Sequence, residues 1–158
     1  MPKTILIPTN FKVSSLYTLK VALEDYKEKE VEIILLYADV LESSITELLF
    51  FSPRKRIEEL MSDEFRTAIE IIKNRFEPNL TTLSIQLFQG KNQASFVNFL
   101  EAKCVDEIYT LSKPNLPAGT PCAKLHFFID RATIPVKKVD HHNNDLLSEG
   151  DHLQSLFA

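Results

Sequence analysis

Val31–Ala38 reads VEIILLYA, a nearly continuous apolar run of Val, Ile and Leu. A strand with one buried face alternates apolar and polar residues, whereas a run apolar at almost every position is expected of a parallel strand covered on both faces. Upstream, Lys3–Thr9 (KTILIPT) is a second short, β-rich apolar run. Between the two, Leu16, Leu19, Leu23 and Tyr26 fall at helical spacing, with Ser14 or Ser15 near the N-cap, and polar Lys27–Glu30 ends that helix. Downstream, an apolar stripe from Ile57 to Phe76 predicts one long helix over Arg54–Phe76, opened at Pro53 and stopped by Pro78. Thr82–Phe88 alternates as a strand and stops at Gly90, and Ala94–Cys104 is helical. Glu107–Leu111 reads as the fourth strand and Pro135–Val139 as the fifth, with a last helix marked by Cys122, Leu125, Ile129 and Ala132 between them. Strands that alternate with helices through right-handed crossovers make an α/β fold: an open, five-stranded parallel sheet with helices on both faces.

The totals agree with one such domain, over residues 1–140, followed by a polar C-terminal tail over 141–158. The 158 residues are 44% apolar and 25% charged, ordinary for a globular chain. A formal net charge of −4 argues against a general nucleic-acid binder, which would carry a basic stripe. The longest apolar runs are too short to cross a bilayer, and MPKTILIPTN does not resemble a signal peptide, so a cytoplasmic location is expected and no membrane partner. Cys104 and Cys122 lack metal-type or CxxC spacing and read as half-buried thiols in a reducing compartment.

The chain opens with KTILIPTNF, LLYADV follows the second strand, Gly90 heads a helix leading into VDEIYTL, and ATIPVKKV closes the last strand. Together these segments resemble the universal stress protein family, whose members start K-I-L-V-P-x-D-F and end on a similar terminal strand. The resemblance spans Lys3 to Val139 and implies a Rossmann-like, adenine nucleotide alpha hydrolase-like sheet of strand order 3-2-1-4-5. It also implies a homodimer paired through the last strand, at Val136, Lys137, Lys138 and Val139, an edge that must be paired or protected.

The departures from the family pattern bear on function. Nucleotide-binding members carry G-x-x-G and then G-S or G-T after the fourth strand. Here the segment from Ile108 to Ile134 holds one glycine, Gly119, and three prolines, Pro114, Pro117 and Pro121. Counted back from Pro135, the Gly-Ser pair falls on Cys122 and Ala123, which supply neither a bare backbone nor a hydroxyl. The acidic residue ending the first strand is replaced by Asn10, whose amide can still hydrogen-bond or can serve only as a turn-former. The degenerate nucleotide site that the resemblance implies comprises Asn10, Ala38, Ser112, Lys113, Cys122 and Ala123, with Thr120 as a further anion contact.

Other features point less clearly to chemistry. His141 and His142, with Asp140, Asn143, Asn144, Asp145 and His152, lack convergent metal-ligand spacing, so a solvated tail and no metal are expected. No G-x-S-x-G is present, no histidine sits at a strand end, and His126 reads as a helix-surface residue, so no catalytic residue is assigned. The apolar stretch Ile45, Leu48, Leu49, Phe50 and Phe51 reads as a core cap, a lid or a partner contact. Leu146, Leu147, Leu153, Leu156 and Phe157 can dock as a short amphipathic segment, and PRKR at Pro53–Arg56 as a solvated helix start. The reading that follows is a non-catalytic regulatory or stress-response module, homodimeric, without cofactor and not binding ATP in the family manner. The alternative is a small-molecule or nucleotide (ATP or AMP) sensor with an altered binding mode.

Overall fold

A computed structural model describes residues 2–39, 49–113, 116–140 and 148–157. Five strands, β1 (Lys3–Pro8), β2 (Val31–Ala38), β3 (Leu80–Phe88), β4 (Glu107–Leu111) and β5 (Val136–Val139), form one sheet of order β3-β2-β1-β4-β5. All four pairings are parallel. The described helices are α1 (Leu16–Asp25), α2 (Pro53–Leu60), α3 (Asp63–Arg75), α4 (Gln93–Ala102), α5 (Pro121–Asp130) and α6 (Glu149–Leu156).

Successive side chains of a strand point to opposite faces, and the sheet builds a core on each. Ile5, Ile7, Ile33, Leu35 and Tyr109 pack under α1, α3 and α6, while Leu6, Ile34, Leu36 and Ile108 pack under α4 and α5. The doubly apolar reading of Val31–Ala38 thus has its cause in two helical layers.

Two expectations are corrected. The stripe over Arg54–Phe76 is two helices, because Met61 leaves the helical region (ψ 126°) and Ser62 starts a new one, accepting the Phe65 N–H at 3.1 Å. Asp63 and Glu64 in the first turn of α3 suit the positive end of its dipole. The stripe looked continuous because Ile57, Leu60 and Met61 pack against the same core that Phe65, Ile69 and Ile72 enter.

The solvated-tail reading also fails for residues 149–156, where the alternative holds: Leu153, Leu156 and Phe157 dock on the core as a short amphipathic segment. Residues 149–156 form α6, whose Leu156 is fully buried and whose His152 is 6% exposed. Ser148 and Asp151 close a reciprocal capping box at its start. His141, His142, Asn143, Asn144, Asp145, Leu146 and Leu147 lie outside the described residues, as do Ile45 and Leu48.

A polar network closes the amino ends of the strands. Lys3 Nζ lies 2.8 Å from the buried Glu107 carboxylate, and Tyr26 donates to the same oxygen at 2.5 Å. Beside them, Tyr109 donates to Asp25 at 2.8 Å, and Lys137 of β5 pairs with the same carboxylate.

Candidate functional site

The sheet's order reverses between β1 and β4, so their carboxyl ends flank the topological switch point where open α/β sheets hold ligands. The turn leaving β1 is fixed by its own polar side chains. Thr9 Oγ1 accepts the Phe11 N–H at 3.1 Å, and Asn10 Oδ1 accepts the Lys12 N–H at 3.0 Å. Ser15 holds the N-cap position of α1, but its hydroxyl donates to the Lys12 carbonyl at 2.7 Å and leaves the helix uncapped by a side chain.

Phe11 sits at φ 63°, a left-handed conformation costly for a bulky residue, on the order of 1–3 kcal/mol. Its ring is buried against Tyr37 (4.8 Å between centroids) and Phe65 (5.6 Å), contacts that hold the turn in this shape. The Asn10 side-chain oxygen is thereby committed to the turn, although the residue itself is exposed.

Across the switch point, α5 begins where a phosphate loop would deliver its anion. Backbone N–H groups of a helix's first turn make such a site. Here Pro121 at the first helical position has no N–H, and the Thr120 hydroxyl accepts the Ala123 N–H at 3.3 Å while donating to the Pro117 carbonyl at 2.8 Å. The Lys124 N–H is bonded within the helix to the Thr120 carbonyl at 3.1 Å. Capping and the helix itself have taken the donors of Ala123 and Lys124.

The expected site residues separate into groups. Asn10 and Cys122 line a small cavity of about 70 Å³ together with His126. Ala38 lines a different cavity, of about 310 Å³, with Asp39, Gly90 and Lys124, and Leu125 contributes to both walls. Ser112 lines neither; its N–H extends the β4–β5 ladder to the Val139 carbonyl at 2.9 Å, and its hydroxyl donates to Asp140. Lys113 is exposed, and Ala123 is tied to Thr120. Phe50 is 81% exposed and fills no cleft.

His126 is corrected from a surface residue to a half-buried one, 3.3 Å from the Thr110 hydroxyl. Burial lowers its pKa and favours the neutral ring. Burial raises the Cys122 thiol, with the Asp39 carboxylate adding to the shift. Cys122 and His126 are four residues apart on α5, a spacing that could have paired them from sequence, but a thiol held protonated is not an activated nucleophile.

Asp39, next to Ala38, was not singled out from sequence. Its carboxylate is gripped by both sides of the Arg56 guanidinium, Nε at 3.0 Å and Nη2 at 3.2 Å. Arg56 comes from the PRKR stretch, which therefore includes a structural anchor.

These features define a doubly wound α/β domain with its cleft at the carboxyl ends of the strands. No protein-family model matches the chain, nor does any curated protein sequence. Solved structures do match in three dimensions. The hypothetical protein MJ0577, whose biochemical function was assigned from its structure, aligns at a TM-score of 0.54 and 24% identity over 91% of this chain and 99% of that one. A universal stress protein family protein from Arabidopsis thaliana with AMP bound aligns at 0.54 and 15% identity, over 95% and 99%. A universal stress protein in complex with cAMP aligns at 0.51 and 14% identity, over 90% and 98%. The chain has the universal stress protein fold.

Proposed function

We propose that this protein is a non-catalytic regulatory module of the stress-response type, homodimeric and cytoplasmic, that does not bind ATP in the manner of the nucleotide-binding universal stress proteins. One observation carries the reading: the first turn of α5 offers a proline, a thiol-bearing Cys122 and an already capped Ala123 where a phosphate cradle is needed. The neutral His126 and protonated Cys122 argue against nucleophilic chemistry in the same place.

The proposed dimer uses β5, whose hydrogen-bonded neighbour in the sheet, among the described residues, is β4 alone. Its two lysines are neutralised within the chain, Lys137 by Asp25 and Lys138 by Asp130 at 3.2 Å. That leaves little charge repulsion between two such edges. Sedimentation at micromolar concentration is expected to give a dimer, and titration with MgATP to give no heat. A strict monomer would remove the dimer, and ATP binding abolished by Asn10→Ala would overturn the nucleotide reading.

The AMP and cAMP held by two of the structurally similar proteins favour a second reading, a small-molecule sensor with an altered mode. Titration with AMP and cAMP separates it from the first.

A further inference from the structure

The sheet ends on two edges of unlike character. β5 is four residues long and carries two lysines, and shortness and lysine both keep an edge strand from pairing freely. β3, at the other end of the sheet, has neither: Leu80–Phe88 (LTTLSIQLF) runs nine residues without a charge, a proline or a glycine. Its hydrogen-bonded neighbour among the described residues is β2 alone. The Phe88 carbonyl accepts the Asp39 N–H at 3.0 Å, so Phe88 turns its backbone groups towards β2. These groups alternate in side along a strand, so Leu83, Ile85 and Leu87 turn theirs to the open edge. No other strand meets them there among the described residues.

Such an edge accepts another strand, and the sequence of β3 fits its own copy. Laid antiparallel about a two-fold axis at Ser84, the strand sets apolar against apolar: Leu80 opposite the partner's Phe88, and Leu83 opposite the partner's Ile85. Thr82 lies opposite the partner's Gln86, polar against polar, on the face away from the core that Leu83 and Ile85 join. The mismatch is Thr81 against the partner's Leu87. With no charge in the strand, no like charges oppose each other.

From an unprotected edge whose pattern reads nearly alike in both directions, we propose that β3 is a self-pairing surface: two copies join these strands antiparallel into one continuous sheet. The contact is at the opposite edge from β5 and independent of the dimer proposed there; where both edges pair, dimers are joined end to end. Leu83 and Ile85 are already half-buried, so the contact adds little apolar burial, is weak, and forms above the micromolar range.

A nitroxide attached through Ser84→Cys, in the full chain with Cys104→Gly and Cys122→Ser, reads the geometry by electron-spin distance measurement at millimolar concentration. Strands lie about 4.8 Å apart, so β3 pairing is expected to bring the two labels within about 25 Å. Pairing at β5 alone leaves four spacings on each side of the contact and one across it, about 43 Å. Thr82→Lys with Gln86→Lys sets like charges opposite each other in two symmetric pairs and is expected to weaken association about tenfold in sedimentation. Thr82→Lys with Gln86→Glu sets opposite charges face to face and is expected to restore it. Thr82 is exposed and Gln86 half-exposed, so these variants should fold, which circular dichroism checks. A distance near 43 Å alone overturns this proposal and leaves the β5 dimer standing, whereas no measurable distance overturns both. A short distance with equal association of the two double variants overturns the two-fold antiparallel pairing.

Discussion

The carboxylate of Glu149, at the start of α6, accepts the backbone N–H of Val13 at 2.8 Å across a sequence separation of 136. Val13 is fully buried, so this side chain from the end of the chain satisfies a donor in the turn that leaves the first strand. Further contacts follow along the helix: Lys20 donates to the Leu156 carbonyl at 2.8 Å, and Arg75 lies over the Phe157 ring at 5.1 Å.

The C-terminal helix is therefore part of the core. Leu156→Ala should cost about 2–5 kcal/mol by opening a cavity beneath α6. Glu149→Ala should cost about 1–3 kcal/mol by stranding the Val13 N–H, while Glu149→Gln keeps an acceptor and should cost clearly less. Urea denaturation monitored by circular dichroism measures all three. Equal losses for Ala and Gln would mean that the charge, not the hydrogen bond, is what matters.

Cys104 ends α4 at φ 53°, with its N–H on the Glu101 carbonyl (3.1 Å) and the Val105 N–H on the Leu100 carbonyl (3.0 Å). That is the Schellman pattern, whose left-handed residue is usually glycine because a Cβ is strained there. Cys104→Gly is expected to stabilise the protein by about 1 kcal/mol, or roughly 2–4 °C in Tm. The residue is exposed, so little packing is lost. Thermal unfolding under reducing conditions checks it; a lower Tm would refute the strain argument.

Gly90 is required for a different reason. A Cβ there would lie 2.6 Å from Phe88 Cζ and 2.6 Å from the Ser95 Cβ. Gly90→Ala should cost about 1–3 kcal/mol, since ring and helix must both shift. Because Phe88 walls the larger cavity, the same variant should also perturb Phe88 and Phe128 resonances in a methyl and aromatic NMR map.

The Asp25–Lys137 pair makes the acid limb of stability predictable. The neighbouring Lys137 ammonium, helped by the Tyr109 hydroxyl, holds the Asp25 carboxyl below its usual value of 3.8. A depressed carboxyl stabilises the fold fully above its unfolded value, and that contribution is lost as pH falls through the lower folded value. Lys137→Met should remove this contribution, so its urea midpoint should fall less than the parent's between pH 5 and pH 2. Parallel curves for the two proteins would show that the pair is not coupled to folding.

The strands were readable locally. Val31–Ala38 and Glu107–Leu111 form strands over the residues their apolar runs mark, because a strand buried on both faces writes that fact into consecutive side chains. The break at Met61–Ser62 had a local signal too, a serine followed by two acidic residues. It was outweighed by an apolar stripe that two separate helices share against one core.

The number of strands, their alternation with helices along the chain and the missing glycine cradle follow from this sequence alone, since periodicity, proline and glycine act over a few neighbouring residues. Three matters were decided only in three dimensions. The Asn10 side-chain oxygen is committed to its own turn, Asn10 and Cys122 line one cavity and Ala38 another with Leu125 in both walls, and the C-terminal segment seals the core through Leu156. Each depends on which groups meet across long separations, where one hydrogen bond or one buried side chain settles a competition that local pattern leaves open.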